Sequence, residues 1–267
     1  MYHTVVIGGG CLGAATAISL QRKLNESGKG GKVCLLDKAV LCAAESSRHS
    51  GIVRSANADP DASIMASLST NMWKNLEKQW GKSMEIDPFG AIWIAKKNSD
   101  GENPAWNELS ERMKKIDLVF EEITAKSATD KCGDTLITDK DESYYYEPEA
   151  FQLDPSILRS VLYDAIDINK VELFEKTEVD GILTNGNKIV SCTTNNGKFD
   201  AKNFVNATGA WSAQLFSKVG LKIPVTIEPV SVVNWMESPR QRNYEYPIIA
   251  DYTNLCYFRS WRGNKMH

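Results

Sequence analysis

Three glycines and one aspartate carry the clearest chemical signal in this chain. Val5-Val6-Ile7 runs into Gly8-Gly9-Gly10-Cys11-Leu12-Gly13, so Gly8, Gly10 and Gly13 stand at G-x-G-x-x-G spacing. A small-residue helix pattern, Ala14-Ala15-Thr16-Ala17-Ile18, follows. A strand, a tight turn and a helix in that order cradle a pyrophosphate. Gly8 allows the turn, Gly10 lets the backbone approach the phosphates, and Gly13 lets the helix pack close to the strand. The first-turn amides, Cys11 and Leu12 among them, then face the anion with the helix dipole behind them. Asp37 ends a second apolar run, Val33-Cys34-Leu35-Leu36, and lies 24 positions beyond Gly13. Its carboxylate can accept hydrogen bonds from both hydroxyls of an adenosine ribose. It would repel a 2′-phosphate, which disfavours NADP. The usual spacing is about 20 residues, and the polar loop from Asn25 to Lys32 absorbs the excess. These residues predict a dinucleotide site without choosing between NAD and FAD.

The elements that must hold such a site can be sought in the remainder of the 267 residues. A chain of this length can bury one large core or two small ones. Its 42% hydrophobic and 24% charged content is that of a globular protein. A net charge of −3 gives no general reason to expect nucleic acid as partner. No apolar run approaches the roughly 20 residues of a bilayer span. The first strand begins almost at Met1, so no signal peptide is expected. The six cysteines are scattered with no C-x-x-C pair, which predicts reduced thiols and a cytoplasmic location. Cys34, in a strand pattern, reads as a small buried hydrophobe. His3, His49 and His267 lack metal-ligand spacing.

Residues 61–80 carry Ile64, Leu68, Met72, Trp73, Leu76 and Trp80 at helical spacing. Asp87-Pro88-Phe89-Gly90 predicts a turn, residues 91–95 a strand, and 104–115 an amphipathic helix. Asp154-Pro155 opens a helix over 154–167 with Leu158, Val161, Leu162 and Ala165 as its stripe. Three runs, 177–184, 188–194 and 198–206, are separated by Asn185-Gly186 and Asn196-Gly197. Asn-Gly is a strong hairpin signal, so a three-stranded meander is expected. It ends in Asn206-Ala207-Thr208-Gly209-Ala210-Trp211 and a helix over 212–219, a second close approach of backbone to a ligand. Strands are expected at 225–227, 230–236, 248–250 and 255–258.

Together these pieces resemble the superfamily of FAD-dependent amine oxidoreductases that includes sarcosine oxidase, D-amino acid oxidase, dimethylglycine dehydrogenase and the β-subunit type of proline dehydrogenase. The likeness covers nearly the whole chain. It rests on Val5 to Gly13 and on Ser46-Ser47-Arg48-His49-Ser50-Gly51-Ile52-Val53-Arg54. It rests also on Glu147-Pro148-Glu149 through Leu153-Asp154-Pro155, and on Asn206 to Ser212. The resemblance implies an α/β protein. A Rossmann-like FAD/NAD(P)-binding domain of glutathione-reductase type (1–82 and 154–222) would accompany a mixed-sheet α+β catalytic domain (83–153 and 223–267).

It also implies roles. Gly8, Gly10, Cys11, Leu12 and Gly13 would hold the pyrophosphate, and Asp37, with Lys38 beside it, the adenosine. Ser46, Ser47, Arg48, His49, Ser50 and Gly51 would run along the flavin's phosphates and ring. Val179 would present its backbone to the adenine or serve as a plain core residue. Ala207, Thr208 and Gly209 would close over the ribityl-pyrophosphate region, with Trp211 at the following helix start. FAD would be non-covalent, since the spacing of His49 to Gly51 differs from relatives that attach FAD through histidine. No metal is implied. Arg54, Tyr257 and Lys265 would be the catalytic residues, with Arg259 and Arg262 as alternative carboxylate clamps.

The implied reaction moves a hydride from the carbon beside the nitrogen of a secondary, N-methylated or D-amino acid to flavin N5. The electron acceptor, whether oxygen, a quinone or an electron-transfer protein, is left open. A 2-hydroxy acid dehydrogenase of 2-hydroxyglutarate type is the alternative. Relatives of that kind carry a His-x-Ser-Gly segment followed by another histidine, where this chain has Arg54. A third reading is an inactive chain that only binds FAD. The family's C-terminal portion and its second glycine-rich turn have no counterpart before His267. A fragment, or a second subunit that supplies the rest, is therefore expected, with little turnover by these 267 residues alone.

Overall fold

The computed structural model describes residues 1–57, 59–80, 83–84, 86, 89–229, 231 and 246–259. The chain opens with β1 (Tyr2–Ile7), α1 (Cys11–Ser27), β2 (Val33–Leu36), α2 (Glu45–Arg48), β3 (Ile52–Val53) and α3 (Pro60–Trp80). It continues with β4 (Ala91–Lys96), α4 (Pro104–Lys114), β5 (Glu121–Ile123), α5 (Ala125–Cys132), β6 (Glu142–Glu147) and β7 (Phe151–Gln152). Then come α6 (Pro155–Asn169), β8 (Glu172–Phe174), β9 (Val179–Asn185), β10 (Lys188–Thr194) and β11 (Gly197–Asn206). The last elements are α7 (Ser212–Ser217), β12 (Ile248–Asp251) and β13 (Cys256–Phe258). Among the described residues, no helix is long and apolar enough to cross a membrane.

The residues form two compact units, Met1–Ser50 with Pro155–Val233, and Gly51–Asp154 with Asn234–His267. The first is built on a six-stranded sheet in the order β8-β2-β1-β11-β10-β9. Its β8, β2, β1 and β11 run parallel, and β11-β10-β9 form the expected antiparallel meander. Val5, Val6 and all of β2 are fully buried, as central parallel strands covered on both faces require. Cys34 packs in that core as the hydrophobe expected of it. Helix α1 buries Gly13, Ala14, Ala17, Ile18, Gln21 and Leu24 at helical spacing, and its small residues keep the axis near the sheet. The one polar member, Gln21, accepts from Val33 N at 2.8 Å and donates to Gly31 O at 3.2 Å. It thereby satisfies backbone groups where β2 begins.

The second unit is a mixed five-stranded sheet, β13-β12-β4-β6-β5, with the β3–β7 pair beside it. Strands β4 and β12 are parallel and the other pairings are antiparallel. Trp93, Trp106, Phe120, Tyr145 and Tyr252 form an aromatic cluster on it, with ring centroids 5.1–6.1 Å apart. This grouping differs from the division expected from sequence, 1–82 with 154–222, because the described residues from Gly51 through α3 cluster with the second unit. The reason is local pairing. Strand β3 pairs with β7, Leu153 N donates to Gly51 O at 2.9 Å, and Glu147 binds the backbone after β3.

Other expectations are corrected at the level of elements. Helix α3 forms, but Ile64, Leu68 and Met72 are exposed. Helical spacing shows that residues share a face and says nothing of what that face meets. Residues 225–227 are not a strand, and Val225 and Ile227 lie exposed. Strands β3, β5, β6, β7 and β8 and helices α2 and α5 are additional to the elements read from sequence. All of the expected strand at 230–236 except residue 231, and Asp87 and Pro88 of the expected turn, lie outside the described residues.

Candidate dinucleotide site

The site is built where β1 hands over to α1. Gly8 has φ +108°, a conformation that L side chains rarely adopt. A Cβ on Gly8 would stand 2.3 Å from Ala207 O, and one on Gly13 would stand 1.8 Å from Gly8 O. The helix therefore packs on the turn with no room for a methyl group, as the glycine spacing predicts. A Cβ on Gly10 would meet only Ser46 Oγ, at 3.0 Å. Gly10 is the N-cap of α1 and has no side chain to cap it. Cys11 N donates to Ser46 Oγ at 3.0 Å. Leu12 follows, 81% exposed. The cradle suits a pyrophosphate, which would complete the amides at this helix start.

Asp37 closes the cradle from the end of β2. Its Oδ2 accepts from Gly9 N at 2.6 Å and its Oδ1 from Ala39 N at 2.7 Å. One carboxylate thus fixes the glycine loop and its own turn. Each oxygen keeps a further lone pair for a ribose hydroxyl. Lys38 lies over the Trp211 ring, 3.5 Å from its centroid, and so joins the end of β2 to the turn after β11. Substituting Asp37 with alanine removes a charged acceptor worth about 1.5–3 kcal/mol. FAD affinity is expected to fall by one to two orders of magnitude in a fluorescence titration. An unchanged affinity would remove Asp37 from the site.

The serine-rich segment splits. Ser46, Ser47 and Arg48 form the short α2, with Ser47 Oγ donating to Ala44 O at 3.2 Å. Ser46 reaches the start of α1, where its Oγ accepts from Cys11 N. Arg48 and His49 are exposed and Ser50 half-buried. Gly51, at φ +72°, belongs to the second unit.

The turn after β11 completes the first unit's cradle. Ala207 N donates to Ile7 O at 2.8 Å, extending the parallel ladder by one bond. Asn206 Oδ1 accepts from Thr208 N at 3.2 Å and Thr208 Oγ1 at 2.7 Å, while its Nδ2 donates to Ser212 O at 3.2 Å. Gly209 follows at φ +54°. Asn206 is thus the organiser of the Ala207-Thr208-Gly209 turn. An Asn whose side chain bonds the amide two residues on is a recognisable local signal. Val179 opens β9 and packs, partly buried, against the core of this unit.

In the second unit, Arg54 is held rather than free. Its Nη1 donates to Ala56 O and to Asn57 Oδ1 (3.1 Å), and its guanidinium carbon lies 4.9 Å from the Trp93 ring centroid. Beneath it, Glu147 is 1% exposed. Glu147 Oε1 accepts from Ser55 N (2.5 Å) and Ala56 N (3.1 Å), and Oε2 from Trp93 Nε1 at 3.1 Å. Burial pushes the Glu147 carboxyl up, against the opposing pull of these donors and of Arg54. In the sequence Glu147 stands out only as part of the Glu147-Pro148-Glu149 motif. Its inward position follows from strand alternation, since Tyr145 and Glu147 share one face of β6. Tyr257 is 43% exposed on β13. Arg259 Nη1 donates to Gln152 Oε1 at 3.1 Å. Lys265 and Arg262 lie outside the described residues.

Comparison with known proteins gives this geometry a family. The description "FAD dependent oxidoreductase" matches residues 3–267. The chain is 25% identical to glycine oxidase of Pseudomonas putida over 236 residues, covering 85% of this chain and 60% of that protein. It is 23% identical to the mitochondrial pyruvate dehydrogenase phosphatase regulatory subunit of Mus musculus, covering 98% of this chain and 29% of that protein. The chain thus spans under two thirds of the length of both. Among solved structures, L-proline dehydrogenase from P. horikoshii superposes with a TM-score of 0.83. It is 20% identical and covers 98% of this chain and 67% of its own. The fold is that of FAD-dependent amino acid oxidases, with mixed α/β architecture.

Proposed function

The chain belongs to the FAD-dependent oxidoreductase family, and we propose that its first unit holds FAD while its second serves a small amine substrate. The observation that carries this reading is the fused cradle. The glycine turn and the Ala207-Thr208-Gly209 turn meet so closely that a Cβ on Gly8 would stand 2.3 Å from Ala207 O. Gly8 to Gly13 would take the pyrophosphate, Asp37 the ribose, and Thr208 and Gly209 the segment beyond it. The bound flavin supplies a hydride acceptor for the carbon beside the substrate nitrogen. The chain's own residues bind and orient that substrate. Arg54, fixed from below by the loop that Glu147 holds, is the candidate partner for a substrate carboxylate. Tyr257 is the candidate polar side chain from β13.

The substrate class in this proposal is a secondary, N-methylated or D-amino acid. The names of the relatives, glycine oxidase and L-proline dehydrogenase, support an amino acid. A second reading has its own support. One relative is by name a regulatory subunit, so a chain that binds FAD and serves a partner subunit is the alternative. A cytoplasmic location belongs to the same proposal and rests on the scattered, unpaired cysteines.

The protein isolated from its host should be yellow, with flavin absorbance released on denaturation. Under anaerobic conditions sarcosine, proline or a D-amino acid should bleach that absorbance, and 2-hydroxyglutarate should not. A colourless protein that binds NADH and rejects FAD would end the cofactor assignment. Flavin that no amino acid reduces would favour the regulatory reading.

A further inference from the structure

Three parallel strands of the first unit end in register. Leu36, Ile7 and Asn206, the last residues of β2, β1 and β11, are partners across the sheet. Asp37 and Lys38 follow β2, the glycine turn follows β1, and Ala207-Thr208-Gly209 leads from β11 to Trp211. Neighbouring strands stand about 4.8 Å apart, so β2 and β11 are two such steps from each other, with β1 between them. Lys38 and Trp211 nevertheless meet, with Nζ 3.5 Å from the ring centroid. Their contact therefore spans the carboxyl end of β1. In open α/β sheets a ligand sits along that edge.

Two carboxylates border the same turns. Asp37 accepts from Gly9 N, and Glu45 Oε2 would stand 3.9 Å from a Cβ on Gly209. A diphosphate brings further negative charge beside them, and like charges at this range repel. The amides at the start of α1 oppose that repulsion with partial charges only. Lys38 carries a full positive charge on a flexible four-carbon stem.

The present partner of that charge is easily exchanged. Lys38 is exposed, and Trp211 is 39% exposed. An ammonium resting on an exposed ring is held weakly. A charge-assisted hydrogen bond from the same ammonium to a phosphate oxygen is stronger. A diphosphate in the cradle therefore outcompetes the indole.

We propose that Lys38 is the counter-cation of the diphosphate, and that it gives up the Trp211 ring to reach it. The Lys38–Trp211 contact is then a strap across the end of β1 that ligand binding opens. The inference rests on the reading of this cradle as an FAD site and adds a moving part to it. Trp211 becomes a reporter of the motion, because its surroundings change when the ammonium leaves.

The test uses the 267-residue chain freed of flavin and compares it with Lys38→Gln, Lys38→Arg and Trp211→Phe. Lys38→Gln should weaken FAD binding about fivefold or more, and Lys38→Arg should restore most of the loss. Raising the ionic strength should weaken FAD binding by the unsubstituted chain more steeply than by Lys38→Gln. A merely structural role for Lys38 would lower affinity without flattening that dependence. ADP is the second probe, since it carries the diphosphate and no flavin to absorb tryptophan emission. The emission of the unsubstituted chain minus that of Trp211→Phe isolates Trp211. ADP should change this difference, and the same measurement in the Lys38→Gln background should show little response. Equal FAD affinity and equal salt dependence in Lys38→Gln would overturn the proposal, as would Trp211 emission that saturating ADP leaves unchanged. Those results with FAD still bound would leave the cofactor site standing and remove only the strap. If neither FAD nor ADP binds the unsubstituted chain, the cofactor reading falls and the strap with it.

Discussion

Gly13→Ala is expected to reduce FAD affinity by about a hundredfold or more, and Gly13→Val to abolish binding. The added Cβ would sit 1.8 Å from Gly8 O and 3.0 Å from the Gly8 carbonyl carbon. Both are backbone atoms of the turn itself, so no side chain can rotate away. Helix α1 must move off β1, and overpacking of this kind costs about 1–3 kcal/mol or more. The displaced element is the one whose amides would face the pyrophosphate in the proposed site, so the cost is expected to fall on cofactor binding as well as on stability. Gly10→Ala provides the contrast. Its Cβ would meet only the Ser46 hydroxyl, at 3.0 Å, and that side chain can turn. Flavin fluorescence titrations and thermal melts of the two variants should rank Gly13→Ala far below Gly10→Ala. Equal affinities would show that the close packing of α1 on the turn does not shape the cofactor site.

The second large effect is expected at Glu147. Glu147→Ala should destabilise the protein by about 3–5 kcal/mol, the range for removing one partner from a buried charged network. The variant strands Ser55 N, Ala56 N and Trp93 Nε1, each of which donates to Glu147, and leaves a cavity behind. The amides of Ser55 and Ala56 directly follow Arg54, so the loop that carries Arg54 loses its anchor. Glu147→Gln separates the two consequences. An amide oxygen can still accept from the backbone amides, while its NH2 would face the Trp93 indole N–H. That variant should keep most of the stability and show a changed Trp93 fluorescence. Denaturant unfolding monitored by tryptophan emission measures both. If Glu147→Ala unfolds at the same denaturant concentration as the parent chain, Glu147 does not hold the loop.

The dinucleotide cradle was legible because each of its parts is local. Gly8, Gly10 and Gly13 announce a turn in which a Cβ has no room, and the observed Cβ clashes at Gly8 and Gly13 are the same statement in three dimensions. The meander was legible from Asn185-Gly186 and Asn196-Gly197, since a two-residue turn chooses its own strand pairing. Asp37 could be assigned to the end of β2 from its position. Its bonds to Gly9 and Ala39 could not be foreseen, because they depend on how β2 lies against β1.

What the chain order could determine by itself was therefore the elements with short-range signals and the glycine turn between two of them. Tertiary structure alone decided three other matters. It grouped β3 and α3 with the second unit, through the pairing of β3 with β7, about a hundred positions apart in the chain. It left Ile64, Leu68 and Met72 of α3 exposed, because periodicity defines a face and only packing supplies its neighbour. It brought the Cys42 amide onto Gly9 O and Glu147 under the amides of Ser55 and Ala56. Contacts of that kind join segments whose local sequences carry no mark of each other. They arise when strands of the same sheet settle into register, and the register is fixed by burial summed over the whole core.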